Sequence, residues 1–81
     1  MKIRSNIAVS ASGLIFNPDT GESFTVNPMG AEIISFLKEG LGQEKISLQI
    51  TQKYNVEPSA FEKDFEDFMG LLRNYTLLDD E

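Results

Sequence analysis

The chain has 81 residues, of which 41% are hydrophobic and 25% charged, a composition typical of an ordinary globular protein. This length predicts one domain, residues 1–81, with a single modest core. Cysteine and histidine are both absent, which excludes thiol nucleophiles, histidine acid–base catalysis and Cys/His zinc sites. The lack of cysteine also removes disulfides and favours a reducing, cytoplasmic compartment.

The net charge of -6 is concentrated in the later part of the chain. Residues 1–31 contain two basic and two acidic residues, so the whole excess of negative charge follows Ala31. This charge repels phosphate backbones and anionic lipid, which makes nucleic acid and membrane poor partners. The longest aliphatic or aromatic run is Leu14-Ile15-Phe16, far shorter than the ~20 residues of a membrane span.

Alternation of apolar and polar residues predicts three short strands in the first third of the chain. The alternating apolar residues are Ile7 and Val9, Leu14 and Phe16, and Phe24 and Val26. Between the second and third strands, residues 17–21 combine Pro, Asp and Gly in a segment typical of a turn. The sequence therefore predicts a hairpin there.

Helical spacing of the apolar residues begins after Pro28 and predicts three helices. The first helix is expected from about Pro28 to Glu39, with Gly40 as its stop. The second carries one apolar stripe, spaced by four residues, and ends at Asn55. Its stripe consists of Ile46, Ile50 and Tyr54.

The third helix has the clearest predicted start. Pro58 suits a first-turn position, and Ser59 to Glu62 match the Ser-x-x-Glu capping box. The stripe of this helix consists of Phe61, Phe65, Phe68 and Leu72, with Met69 alongside. A short extended tail through Leu78 should follow, and residues 79–81 are expected to fray.

A three-stranded antiparallel sheet followed by three helices is an α+β arrangement, with the helices on one sheet face. The ordered elements resemble the PqqD-like domains, also called RiPP recognition elements, which are winged-helix-like modules. The segments that carry the resemblance are the turn at 17–22, Val26-Asn27-Pro28, residues 31–40, Ile46 with Ile50 and residues 54–56, residues 64–72, and Leu77-Leu78. Departures are Val26 where the family usually has Leu, Gly70 within the third helix, and Thr76 where Gly is frequent.

The resemblance implies a non-catalytic module, with no cofactor, that captures the leader part of a ribosomally made precursor peptide. It further implies that the module presents the peptide to a modifying enzyme, often a radical SAM protein. In that family the peptide adds as a strand beside the third strand, in a groove walled by the third helix.

The residues themselves favour such a groove. On the third helix, Asp64, Phe68, Leu71 and Tyr75 share one flank and extend the apolar arc beyond the core stripe. We expect this flank to face a ligand, although Leu71 and Tyr75 could instead cover the sheet or the tail. On the third strand, Phe24, Thr25 and Val26 are the predicted docking edge, unless that edge is simply a protected one.

The start of the third helix is rich in acid, with Glu57, Glu62, Asp64, Glu66 and Asp67 against Lys63. These acids suit a helix N-terminus and a solvated face, and they could also steer a basic partner. They disfavour the main alternative function, a winged-helix transcription regulator whose third helix would enter DNA. A second alternative is a subunit that docks on an enzyme without binding peptide. No catalytic residue is predicted, because nothing in the sequence indicates a carboxylate pair buried so as to separate two pKa values. No metal site is predicted, because the turn at 17–22 lacks the EF-hand pattern.

Overall fold

The computed structural model describes residues 2–79, and its three helices and antiparallel sheet confirm the predicted α+β class. The strands are β1 (Lys2–Ile3), β2 (Ala8–Val9), β3 (Leu14–Asn17), β4 (Glu22–Thr25) and β5 (Leu78–Asp79). The helices are α1 (Pro28–Lys38), α2 (Gln43–Tyr54) and α3 (Pro58–Asn74).

The main sheet has the order β2-β3-β4, with β3 in the centre and both pairings antiparallel. Ile15 lies opposite Val9 on one side and Phe24 on the other. Because residues opposite each other project from the same sheet face, these three side chains define the inner face. Ile15 is completely buried there.

The predicted hairpin between β3 and β4 is confirmed. Asn17 pairs with Glu22, and the amide of Gly21 donates to the Asn17 carbonyl at 2.8 Å. Gly21 has φ of 77°, a conformation that glycine adopts without steric cost. The buried Asn17 side chain accepts from the amide of Asp19 at 3.0 Å, which closes the turn from inside.

Gly13 fixes the other end of this hairpin. Its carbonyl accepts a 2.9 Å bond from the amide of Val26, and its φ is 92°. A Cβ atom at this position would lie 2.4 Å from the Val26 carbonyl oxygen. Only glycine therefore fits where the chain crosses between β2 and β3.

Local capping sets the helix ends. The Asn27 side chain accepts from the amide of Gly30 at 2.7 Å, and Pro28 stands in the first turn of α1. Asn55 ends α2, as predicted, and adopts the left-handed conformation. The capping box predicted for α3 is wrong: Glu57 is the N-cap without a side-chain capping bond. Pro58, preorganised for the first helical position, moves the start of the helix ahead of Ser59.

The core joins the inner sheet face to one stripe of each helix. Its members at 6% exposure or less are Ile3, Ile7, Ile15, Ile33, Ile34, Leu37, Ile46, Ile50, Phe61, Phe65, Met69, Leu72, Leu77 and Leu78. The predicted stripe of α3 is confirmed at three positions, whereas Phe68 is only half-buried. Phe68 lies at the border between the core and the helix flank.

The tail after α3 forms a strand with a partner that sequence analysis missed. In β5, Leu78 pairs with Ile3 and Asp79 with Lys2, in a separate two-stranded antiparallel sheet. The fraying predicted for Asp79 is wrong, because this residue is paired in β5; residues 80 and 81 lie outside the described residues. This pairing holds Leu77 and Leu78 in the core.

Within residues 2–79, no helix combines the length and the apolar character needed to cross a bilayer.

Candidate functional site

One edge of β4 has no strand partner among the described residues, because β4 pairs with β3 alone. The 2.9 Å bond from Val26 to Gly13 marks those two residues as a hydrogen-bonded pair. Hydrogen-bonded and non-bonded pairs alternate along an antiparallel ladder. The backbone groups of Phe24 therefore point to β3, whereas those of Ser23 and Thr25 point to the open edge.

The C-terminal part of α3 lies beside this edge. The Tyr75 ring, at the end of α3, stacks on the Phe24 ring with centroids 4.8 Å apart and planes inclined by 26°. Earlier in α3, the Phe68 ring lies 3.3 Å from where a Cβ on Gly30 would be, next to Val26. The end of α3 thus lies at Phe24, and Phe68, two turns earlier, lies near Gly30 and Val26. This placement makes α3 antiparallel to β4, with the helix flank beside the strand edge.

A small open cavity of about 210 Å³ lies at the other end of this surface from the Phe24–Tyr75 stack. It is lined by Asn27, Met29, Gly30, Ile33, Asp64, Phe65 and Phe68. Its walls are mainly apolar, and Asp64 is its one acidic side chain. We call the surface from this cavity to the stack, between β4 and α3, the groove.

Most of the site residues predicted from sequence come together along the groove. Phe24 and Thr25 lie in β4, and Val26 follows directly. On α3, Asp64 and Phe68 line the cavity, and Tyr75 contacts Phe24. The remaining residue, Leu71, lies on the same flank by helical spacing and is 42% exposed.

The first turns of α1 form a wall of the cavity that was not predicted from the sequence, namely Met29, Gly30 and Ile33. Gly30 allows the close approach, because a Cβ there would lie 3.1 Å from the Val26 Cβ and 3.2 Å from Asn27 Oδ1. The signal was present in the Asn-Pro cap, which places these residues in the first turns of the helix that follows β4.

The family model described as Coenzyme PQQ synthesis protein D (PqqD) matches residues 13–78. The chain belongs to the PqqD family. Among solved structures, it is similar to TbiB1 in complex with the TbiA(beta) leader peptide, with 30% identity and a TM-score of 0.90. The similarity covers 100% of this chain and 98% of the other. No protein with a curated function is significantly similar in sequence.

The matched PqqD region contains the cavity, β4 and all of α3, and it also contains a polar cluster between α1 and α2. Glu32 accepts hydrogen bonds from Tyr54 and, at 2.9 Å, from Lys53. Both hydrogen bonds lower the pKa of Glu32, and the one from Tyr54 has the larger effect. None of these three residues lines the groove cavity, so the cluster joins two helices and takes no direct part in the site.

The described residues of this PqqD-family chain contain no group of acidic side chains arranged to hold a metal ion. The acids near the start of α3 are exposed to solvent. They are Glu57, Glu62, Asp64, Glu66 and Asp67. The groove offers backbone donors and acceptors on the β4 side and apolar side chains on the α3 side, an arrangement suited to binding an extended chain.

Proposed function

We propose that this chain is a non-catalytic adaptor, one peptide-binding domain over residues 1–81. It captures the leader part of a ribosomally made precursor peptide and presents it to a modifying enzyme, such as a radical SAM protein. The observation that carries the proposal is the unpaired β4 edge running beside the apolar flank of α3. Membership of the PqqD family and similarity to TbiB1, solved with a leader peptide, support it.

In this proposal the peptide adds to the sheet as a strand next to β4. Its backbone would bond to the outward N–H and C=O groups of Ser23 and Thr25, which gives affinity without reading sequence. Side-chain contacts would then supply selectivity. We assign peptide contacts to Phe24, Thr25, Val26, Asp64, Phe68, Leu71 and Tyr75.

The two ends of the groove suit different side chains of an extended peptide. Alternate residues of a strand point to the same face, so every second peptide side chain would face α3. One apolar side chain would fill the cavity between Met29 and Phe68, and another would pack near the Phe24–Tyr75 stack. Asp64 at the cavity would favour a basic neighbour over an acidic one.

A DNA-binding role is not favoured by the structure. A regulator of the winged-helix kind would insert α3 into the major groove, yet the exposed charged side chains along its first turns are acidic except for Lys63. Close approach to phosphates would be repulsive. We also propose a cytoplasmic location, because the chain has no cysteine and needs no oxidising compartment to fold.

The test is an amide-resolved NMR titration of the ¹⁵N-labelled protein with synthetic leaders of precursor peptides from the same genome. Amides of residues 22–27 and of residues 64–75 should shift together, because strand and helix contact the same peptide. The outward amides of Ser23 and Thr25 should also gain protection from hydrogen exchange. Shifts confined to α3, with the β4 amides unmoved, would contradict strand addition and favour enzyme docking.

Two matched variants sharpen this test. Leu71→Asp places a carboxylate in the proposed contact and should weaken peptide binding at least about tenfold, because its charge would lose water on binding. Leu48→Asp is the control, since Leu48 is also an exposed leucine on a helix, at 59%, but lies on α2. Equal peptide affinity in the two variants would show that the α3 flank is not the binding surface.

A further inference from the structure

The outer face of the three-stranded sheet carries no charged side chain at its strand positions. Five strand residues point outward, opposite to the inner face: Ala8, Leu14, Phe16, Ser23 and Thr25. All five are exposed, and Leu14 and Phe16 are large apolar residues at 46% and 40% exposure. We call these five residues the outer face.

The outer face thus combines two large exposed apolar side chains with small or hydroxyl-bearing neighbours and no charge at its strand positions. Depletion of charged residues, together with exposed aromatic side chains, is characteristic of the centre of a protein–protein interface. The outer face is also not needed for the core, which lies against the opposite side of the sheet. It is therefore available to a partner.

The outer face is continuous with the β4 edge. A peptide strand added at that edge would extend the same sheet by one strand, about 4.8 Å beyond β4. Its alternate side chains would project from the outer face, next to Ser23 and Thr25, while the others enter the groove. Loading with peptide would thus enlarge the apolar surface that begins at Leu14 and Phe16.

We propose that the loaded outer face, made of Leu14, Phe16 and the outward side chains of the bound leader, is the surface on which the peptide-modifying enzyme docks. This inference rests on the proposed peptide-binding function. The enzyme surface that fits is apolar and uncharged, and it contacts protein and peptide at once. Tight binding of the enzyme therefore requires that the domain already holds a substrate peptide.

Interface size and charge both favour this occupant. The surface area of two exposed apolar side chains is far smaller than the roughly 800 Å² per partner that a specific stable interface buries. The domain without peptide would therefore bind the enzyme weakly. Peptide side chains add the missing area. A second copy of the chain is a poorer occupant, because two molecules with a net charge of -6 each repel one another.

The coupling must act in both directions. If the leader raises the affinity of the domain for the enzyme by some factor, the enzyme raises the affinity for the leader by the same factor. This reciprocity distinguishes a shared surface from two independent sites, for which each factor would be one.

The experiment uses the full chain, the synthetic leader that it binds and the purified enzyme that modifies the corresponding precursor. Enzyme binding to the immobilised domain is measured with and without saturating leader, and leader affinity is measured by fluorescence anisotropy. Leu14→Gln/Phe16→Gln is compared with Leu48→Gln, a change of an exposed α2 leucine away from the sheet. Thermal melts of both variants establish that each is folded.

We expect the leader to strengthen enzyme binding to the wild type at least about tenfold. In Leu14→Gln/Phe16→Gln this gain should be lost while leader affinity stays within about twofold, and Leu48→Gln should behave as the wild type. Unchanged enzyme binding by the double variant would overturn the inference. So would a wild-type dimer in sedimentation that this variant converts to monomer. Failure of the wild type to bind the leader would instead reject the proposed function.

Discussion

Leu71 and Leu72 are neighbours in α3 but occupy opposite environments, which makes them a direct test of the placement of the groove. Leu72 is completely buried, whereas Leu71 is 42% exposed. We expect Leu72→Ala to destabilise the domain severely and Leu71→Ala to do so only slightly. The two changes remove the same atoms from the same helix turn, and the intrinsic helix propensity of the new residue is identical.

The expected magnitudes follow from burial. Leu72→Ala removes buried carbon atoms and leaves a cavity, so it should cost roughly 3 to 5 kcal/mol. At about 0.05 to 0.15 kcal/mol per residue, a chain of this length has roughly 4 to 12 kcal/mol of stability in total. Leu71→Ala leaves no enclosed cavity and exposes little new surface, so about 1 kcal/mol or less is expected.

The measurement is urea unfolding followed by far-UV circular dichroism, with thermal melts in parallel. Each kcal/mol corresponds to a Tm change of about 4 to 8 °C in a domain of this size, so the two variants should differ by at least about 8 °C. If Leu71→Ala is as damaging as Leu72→Ala, Leu71 belongs to the core and the flank of α3 cannot contribute to the groove as described.

Three further changes have expected outcomes. Gly70→Ala should stabilise the protein by up to about 1 kcal/mol, because a Cβ at this α3 position meets no atom within 4 Å; a loss of stability in urea unfolding would show a hidden contact. Thr76→Gly should also stabilise the protein, because Thr76 has φ of 55° and glycine adopts this conformation without strain. The strain relieved is on the order of 1 kcal/mol, reduced by the greater conformational entropy of glycine in the unfolded chain; a lower Tm in the same assay would refute this. Glu32→Gln should lower stability at pH 7 and become progressively less harmful under acid conditions. The hydrogen bonds from Tyr54 and Lys53 lower the pKa of Glu32 in the folded state below its ordinary value of 4.5. The stability that they add is therefore fully present above pH 4.5 and is lost as the pH falls through the folded pKa. Stability curves of both proteins between pH 7 and pH 3 should converge, and parallel curves would contradict the reasoning.

The elements with several apolar repeats could be predicted from sequence, because periodicity depends only on neighbouring residues. The α3 stripe is an example, with Phe65 and Leu72 both buried. In contrast, β1 and β5 are two residues long each, too short for an alternation to be visible. Their pairing joins residues far apart in the chain, which no local pattern encodes.

The candidate site shows the same division. The flank of α3 and the third predicted strand could be placed by helical and strand periods, and both lie along the groove. The stacking of Phe24 on Tyr75 could not be predicted, because it depends on the packing angle between β4 and α3. The capping box failed for a local reason, since Pro58 and Ser59 each favour a different first residue and only one can prevail.

Pairing of β1 with β5 brings the two ends of the described chain together, with Lys2 directly opposite Asp79. Facing residues in an antiparallel pair have Cα atoms only about 4.5 to 5.5 Å apart. The polypeptide thus enters and leaves the fold at one point. Short linkers at both ends would allow the domain to be inserted into a surface loop of another protein without separating any strands. A circularly permuted form is accessible by the same route, with new ends in an exposed turn such as Gly40 to Gly42.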